Sequence, residues 1–449
     1  MTDTFRASLP DFSHERDAFL SGARSPVDLL DDCIRNIDAS EATVRAFAHI
    51  DLDAARRAAE ASAQRYREKR PLSVIDGMPI AVKDIIDTVD MPTQMNNTFY
   101  AGHQPRSDAA CVRAVREGGG VILGKSVTTE FAIGRSGPTV NPHNIRHTPG
   151  GSSSGAGAGT AAGMFAASFG TQTQGSIVRP ASFNGVVGFK PTLGKLSTDG
   201  VHPLSRTHDH LGVLGQSVDT VWALSRWVGE IAPAQDSDGL GGPVGAPLPA
   251  NAPARLAVAR TAGFDDLDAA SRAAFDSKLD DLRGLGVTVI ETDQDPFLAD
   301  LVRRLDRIAE VSLRMVAFDM RWPYRSYLDA APDMMGPRLH DLVKLGHEVT
   351  LDEYRLIRAE RADMRRRMME LARSYDGLVL PAASGPAPEG FEYTGARTLL
   401  VYMSFLGFPA FSLPLMSVGD MPFGLQLAGF AGGDHKLAQH AKWLLANAR

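Results

Sequence analysis

Three stretches of this chain carry side chains able to do chemistry together. Lys83 closes the run Gly77-Met78-Pro79-Ile80-Ala81-Val82-Lys83-Asp84, directly after an apolar segment. A lysine that loses part of its hydration there keeps some neutral amine and can serve as a base. Taken alone, it reads more simply as a strand-end ammonium reaching solvent. The second stretch is Pro149-Gly150-Gly151-Ser152-Ser153-Ser154-Gly155. Glycines around serines let the backbone hold hydroxyls in geometries closed to other residues. A solvated Gly/Ser loop is the plainer reading. The third is Gly170-Thr171-Gln172-Thr173-Gln174-Gly175-Ser176-Ile177-Val178-Arg179-Pro180, where Ser176 follows a glycine in a turn of small residues. Successive N–H groups in such a turn can cradle an oxyanion, although an ordinary buried turn would look the same. Serine is a poor nucleophile at its own pKa and needs a base. The G-x-S-x-G pattern that would point to a downstream acid and histidine is absent around Ser176. Lys83 is then the candidate activator.

The elements that must position these residues alternate between helix and strand patterns, which favours an α/β fold. Residues 1–70 read as helices. Ser25-Pro26 gives a cap and an early proline, and Val27, Leu29, Leu30, Cys33, Ile34 and Ile37 follow at helical spacing. Residues 51–70 read as a solvated helix. Residues 77–84 read as a short strand, and residues 109–117 as a helix leading through Gly118-Gly119-Gly120 into the strand Val121-Ile122-Leu123. That order argues against a phosphate loop, although residues 119–126 fit G-x-x-x-x-G-K-S/T. A phosphate loop leaves a strand and opens a helix. Lys125 is therefore read as a strand-end residue near the core.

Residues 149–194 are dense in Gly, Ser, Ala and Thr, with no charge from 149 to 178. The apolar stretches Gly163-Met164-Phe165-Ala166-Ala167 and Gly185-Val186-Val187-Gly188-Phe189 are of no use to a flexible linker. The segment reads as buried backbone in close approach. Residues 229–255, rich in Pro, Gly and Ala, read as an exposed connection. Residues 256–258 and 287–290 read as strands around a helix, and 296–375 as largely helical. Residues 377–381 read as a strand ending where open sheets form their site loops.

The chain has 449 residues, 44% hydrophobic and 22% charged. This is a globular balance that excludes wholesale disorder, collagen and coiled coil. A net charge of -6 gives no basic surplus for nucleic acid or an anionic membrane. The two cysteines, Cys33 and Cys111, form no CxxC, which argues against a disulfide framework or a structural zinc site and makes a reducing cytoplasm the expected location. The start, Met1-Thr2-Asp3-Thr4-Phe5-Arg6, does not read as a signal peptide. No apolar run approaches the ~18 residues of a membrane helix. His208-Asp209-His210 and the pair His143 and His147 lack acidic or cysteine partners at ligand spacing, so no metal is expected, and no cofactor.

Together these stretches resemble the amidase signature family. The resemblance is carried by residues 77–84, by 149–192 nearly continuously, and by Gly124-Lys125-Ser126 with Glu130-Phe131-Ala132. It continues more weakly through 401–434, with Gly407-Phe408-Pro409-Ala410-Phe411-Ser412-Leu413-Pro414 and Pro422-Phe423-Gly424-Leu425-Gln426. It implies a single large α/β domain with a mixed central β-sheet covered by helices on both sides. Residues 1–70 would be N-terminal helices, 71–228 the catalytic core and 229–255 the exposed connection. Residues 256–375 would be a mostly helical elaboration shaping the acyl pocket, and 376–449 a C-terminal return to the core.

The resemblance also implies an amidohydrolase that cleaves a carboxamide-type C–N bond through a serine acyl-enzyme, releasing a carboxylate and an amine or ammonia. Ser176 would be the nucleophile, Ser152 the middle serine behind a cis peptide from Gly151, and Lys83 the base. Backbone N–H groups of Thr173, Gln174, Gly175 and Ser176 match the family's oxyanion hole. Asp209 falls where the family has an acidic residue in a structural turn. The chain departs from the family pattern at Gln172, commonly Asp, at Gln174, commonly Gly, and at Val178, often Arg, with Arg179 one position later. Arg179 follows a charge-free stretch and needs a partner. That partner is either structural, Asp209 or a set of backbone carbonyls, or a substrate carboxylate beside Ser176. The implied partner is a small-molecule amide, with no nucleic acid or membrane, and a homodimer is the assembly considered. The alternative function is the glutamine-hydrolysing subunit of a tRNA-dependent amidotransferase, against which the departures around Ser176 count.

Overall fold

The short apolar runs of the sequence become the strands of one sheet. The computed structural model describes residues 4–448; residues 1–3, part of the start read for a leader, lie outside it. The strands are β1 (Phe47–Ile50), β2 (Pro79–Lys83), β3 (Val121–Ser126), β4 (Ala167–Gln172), β5 (Val187–Lys190), β6 (His210–Gly215), β7 (Arg255–Val258), β8 (Thr288–Ile290), β9 (Gly377–Pro381), β10 (Ala410–Val418) and β11 (Met421–Ala428). They lie in the order β1-β3-β2-β4-β6-β5-β10-β11-β9-β7-β8. Strand β2 runs parallel to β3 and β4, and β7 runs parallel to β8 and β9. The remaining pairings are antiparallel. The sheet is therefore mixed, and helices cover both faces. Strands β2, β3 and β4 are buried along their whole length, which is why they read as continuous apolar or small-residue runs without alternation.

The helices are α1 (Phe12–Ser21), α2 (Pro26–Val44), α3 (Leu52–Arg67), α4 (Ala110–Glu117), α5 (Ser154–Ala161), α6 (Val178–Asn184), α7 (Val218–Ile231), α8 (Ala269–Gly284), α9 (Pro296–Leu305), α10 (Ile308–Ala330), α11 (Pro337–Glu348), α12 (Leu351–Leu371), α13 (Val401–Leu406) and α14 (Asp434–Asn447). The Ser25-Pro26 cue is realised in full at α2. The Asp28 N–H donates to Ser25 Oγ at 3.3 Å, and the Ser25 N–H donates to the Asp28 carboxylate at 2.8 Å. Strand β1 is the exception to an all-helical N-terminus. Arg45 takes a left-handed φ of 52° and ends α2, and Phe47–Ile50 then pairs antiparallel with β3. Four residues are too few for a periodic pattern to show.

Strand β3 leaves Gly120 at once and runs to Ser126, so residues 119–126 form no phosphate loop. Lys125 on it is wholly buried, with Nζ donating to Thr93 Oγ1 at 2.7 Å and lying 3.6 Å from Asp84 Oδ1. The segment 149–194 folds into α5, β4, α6 and β5, nearly all buried. Its glycines allow direct backbone contact: a Cβ on Gly155 would meet the Ala46 carbonyl oxygen at 2.1 Å and the Val127 nitrogen at 2.4 Å. Helix α7 runs on to Ile231, so the irregular connection begins later than residue 229; it stays mostly exposed, with Leu240 and Leu248 tucked in. Beyond β9, residues 382–400 form the long loop expected at a strand's carboxyl end. No helix among the described residues is long and apolar enough to cross a membrane. No group of three or more His, Cys, Asp or Glu among them could hold a metal ion.

Candidate active site

Because β2 and β4 run parallel as neighbours, their carboxyl ends meet at one edge of the sheet, which brings Lys83 and Thr171 together. Lys83 Nζ lies 2.7 Å from Thr171 Oγ1 and 2.8 Å from Ser152 Oγ. The lysine is fully buried. Desolvation drives it well below the ordinary lysine value, the Arg179 cation adds to that, and the Asp209 carboxylate opposes it. The result is an amine poised to be neutral, facing a hydroxyl.

Ser152 stands on the loop entering α5, after the cis Gly151–Ser152 peptide. The Ser153 N–H donates to the Ser176 carbonyl at 3.4 Å, tying the two serine loops to each other. Gly175 has a φ of +126°, and a Cβ there would meet Leu400 Cδ1 at 2.8 Å, so the residue before Ser176 must be small and free to turn. Ser176 and Ser152 both line a cavity of about 530 Å³, with Thr173, Gln174, Arg179, Arg338, Thr394 and Arg397 among its walls.

The turn between β4 and α6 is held from outside the cavity. Thr173 Oγ1 donates to Asp209 Oδ1 at 2.6 Å, and Asp209 Oδ2 accepts from the N–H groups of Leu204 (2.8 Å) and Ser205 (2.9 Å). Burial still pushes Asp209 up to about 6. Gln172 Oε1 accepts from the N–H groups of Ile177 (2.9 Å) and Val178 (3.0 Å), and its amide donates to Ser404 Oγ at 2.9 Å. A neutral amide thus satisfies the start of α6 without burying a carboxylate. Gln174 reaches sideways: Nε2 donates to Ser312 Oγ of α10 at 2.9 Å, and Oε1 accepts from Arg397 at 2.6 Å.

Arg179 turns its donors to the protein. Nε and Nη2 donate to the Gly151 carbonyl (3.1 and 2.6 Å), Nη1 to the carbonyls of Gly395 (3.0 Å) and Ala396 (3.2 Å), and Nη2 also to Thr394 Oγ1 (3.4 Å). Its partners are three backbone carbonyls and the Thr394 hydroxyl, not Asp209, and they occupy all five N–H groups, leaving none for the substrate carboxylate considered as an alternative. Burial lowers it to about 10. His143 and His147 also serve the backbone: His143 Nε2 lies 2.8 Å from the Asn184 carbonyl and His147 Nδ1 2.7 Å from that of Ala387.

Sequence reasoning missed Thr171, Ser312, Arg338 and Arg397. Parallel pairing of β2 and β4 would have indicated Thr171. For Arg397 the available signal was its place in the loop after β9.

The amidase family model matches residues 28–438, and the chain belongs to that family, the amidase-signature hydrolases. It is 32% identical over 442 residues to a component of the glutamyl-tRNA(Gln) amidotransferase of Anaeromyxobacter sp. (strain K), covering 91% of this chain and 90% of the relative. Among solved structures, an amidase matches with a TM-score of 0.85 at 30% identity, covering 98% of this chain and all of that one. The peptide amidase from Stenotrophomonas maltophilia matches with a TM-score of 0.79 at 25% identity, over 99% of this chain and 98% of the other.

Proposed function

We propose that this protein is an amidohydrolase working through Ser176, Ser152 and Lys83. The observation that carries the reading is the buried Lys83 amine 2.8 Å from Ser152 Oγ, with Ser152 and Ser176 in one cavity. Neutral Lys83 accepts the Ser152 proton while Ser152 takes that of Ser176. Ser176 Oγ adds to the amide carbonyl, and the N–H groups of Thr173, Gln174, Gly175 and Ser176 receive the oxyanion. The proton returns along the same path to the leaving nitrogen. The C–N bond breaks, and water releases the carboxylate from the acyl-enzyme. Thr171 holds the amine in line with Ser152, and Arg179 holds the Gly151 carbonyl and the 394–396 loop. Pro337 and Arg338 of α11 reach the cavity, which supports a pocket-shaping role for residues 256–375. Two unpaired, buried cysteines fit a reducing cytoplasm.

Similarity along nine-tenths of the chain to one component of an amidotransferase favours a second reading, glutamine hydrolysis inside a larger assembly. One experiment addresses both. The purified chain is mixed with a panel of amides, glutamine among them, quenched and digested, and Ser176 is examined by mass spectrometry. An acyl adduct on Ser176 with steady turnover by the lone chain is expected. An adduct on another residue would overturn the triad, and turnover only with added partner proteins would favour the second reading.

A further inference from the structure

The cavity holds two arginines whose donors the protein leaves largely unused. Elsewhere on its wall Arg135 pairs with Glu130 at 2.9 Å, and the five N–H groups of Arg179 are taken up by carbonyls and the Thr394 hydroxyl. Among the described residues, Arg338 makes no hydrogen bond or ion pair, and Arg397 makes one hydrogen bond, to the neutral Gln174 amide. Glu392, exposed at the rim, pairs with neither. Arg397 is half-buried, and both desolvation and the Arg338 charge push its guanidinium below the ordinary value. Arg338 is exposed and its charge acts on Arg397, so two cations lie close to each other with no protein carboxylate among the described residues to offset them.

Arg397 is also aimed. Ser205 and Thr207 hydroxyls donate to Asp319 Oδ2 at 2.6 and 2.7 Å. His208 Nδ1, 3.2 and 3.0 Å from those two oxygens, then carries the proton and donates to them. Burial keeps His208 neutral, so its Nε2 accepts from Ser312 Oγ at 3.2 Å. Ser312 accepts from Gln174 Nε2, which leaves Gln174 Oε1 facing Arg397. A glycine at 174, common in the family, would leave this guanidinium without its acceptor.

We propose that Arg397 and Arg338 form an anion subsite, with Gln174 as the positioning residue, and that the amide hydrolysed here carries a second, ionised carboxyl. The proposal rests on the amidohydrolase reading and names its substrate class. A guanidinium is matched to a carboxylate in shape and charge, and Gln174 lies two residues before Ser176, which places the subsite beside the reacting carbonyl.

The test separates binding from turnover. Ser176→Ala protein is titrated calorimetrically with malonamate, succinamate and glutaramate, each beside its uncharged alkyl amide, and with acetylglycine beside N-ethylacetamide. At least one charged member should bind about 10-fold or more tightly than its neutral partner, a gap of about 1.4 kcal/mol. In the same background Arg397→Gln should erase most of that gap and Arg338→Gln part of it. Arg397→Lys should retain some, and Gln174→Gly should shrink it although Arg397 is present. Thermal midpoints check that the variants fold. A gap in none of the pairs, binding of no probe, or a gap untouched in the Arg338→Gln/Arg397→Gln double variant would overturn the subsite. A charge-dependent gap without turnover by the unmodified protein sinks the amidohydrolase reading alone. Turnover of amides with no charge preference sinks the subsite alone.

Discussion

In the proposed reaction Lys83 sets the acidity. Its proton-accepting form is the neutral amine, and burial holds its pKa below the ordinary lysine range near about 10.4. The rate should rise as pH climbs through the depressed value and level off above it. A pH–rate profile that falls from acid to neutral would contradict a lysine base. Stability carries the same sign. Between the folded and the ordinary value the unfolded chain binds a proton that the native chain does not, so stability rises with pH across that window. Lys83→Met should flatten this slope in urea titrations and cut turnover by about 10³-fold or more. Lys83 after its apolar run and Ser152 and Ser176 in their glycine settings are candidates by type, and the family resemblance, not the local pattern, gives them their expected roles. Thr171 and Arg397 do not stand out, because their contacts join residues 88 and 223 positions apart, and no local pattern encodes such a pairing.

Helix α5 shows how much of the site depends on the absence of side chains. It packs Gly155 on the backbone of Ala46 and Val127, Gly157 on Pro180 and Asn184, and Gly159 on the Phe165 ring, just after the residues that carry Ser152. Gly155→Ala drives a methyl into a carbonyl oxygen and should lose about 1–3 kcal/mol, read as a lower urea midpoint, with activity falling alongside. Gly284, at the end of α8, has nothing within 4 Å of its added Cβ. Gly284→Ala should be neutral or gain about 0.4–1 kcal/mol. Equal losses at both positions would refute the close-approach account. Elements with strong local signals, such as α2 with its cap and β2 with its apolar run, could be read directly. In residues 149–194 burial was legible from the missing charges, but the partition into α5, β4, α6 and β5 was not: small residues suit helix and strand alike once both are buried.

On the scale of the molecule, strand order does not follow chain order. Strands β10 and β11 lie between β5 and β9, with Ala410 beside Lys190 and Leu425 beside Pro381. A chain cut after residue 400 should therefore lose its middle, not its end. Two half-sheets with bare edges remain, and bare edges aggregate. Size-exclusion chromatography and circular dichroism should find no soluble fragment with a cooperative melt; such a fragment would refute this account.

The same arrangement has a history written into each molecule's making. Ribosomes deliver on the order of 5–20 residues per second, and β5 emerges well before β10. For on the order of tens of seconds the nascent chain carries an open strand edge beside a nearly complete array of β1 to β6, which includes Lys83, Ser152, Thr171 and Ser176. The stretch bearing Ser312, Arg338 and Arg397 follows only afterwards. Each molecule thus receives its proposed reactive groups first and the two unpaired arginines of its cavity wall, Arg338 and Arg397, last.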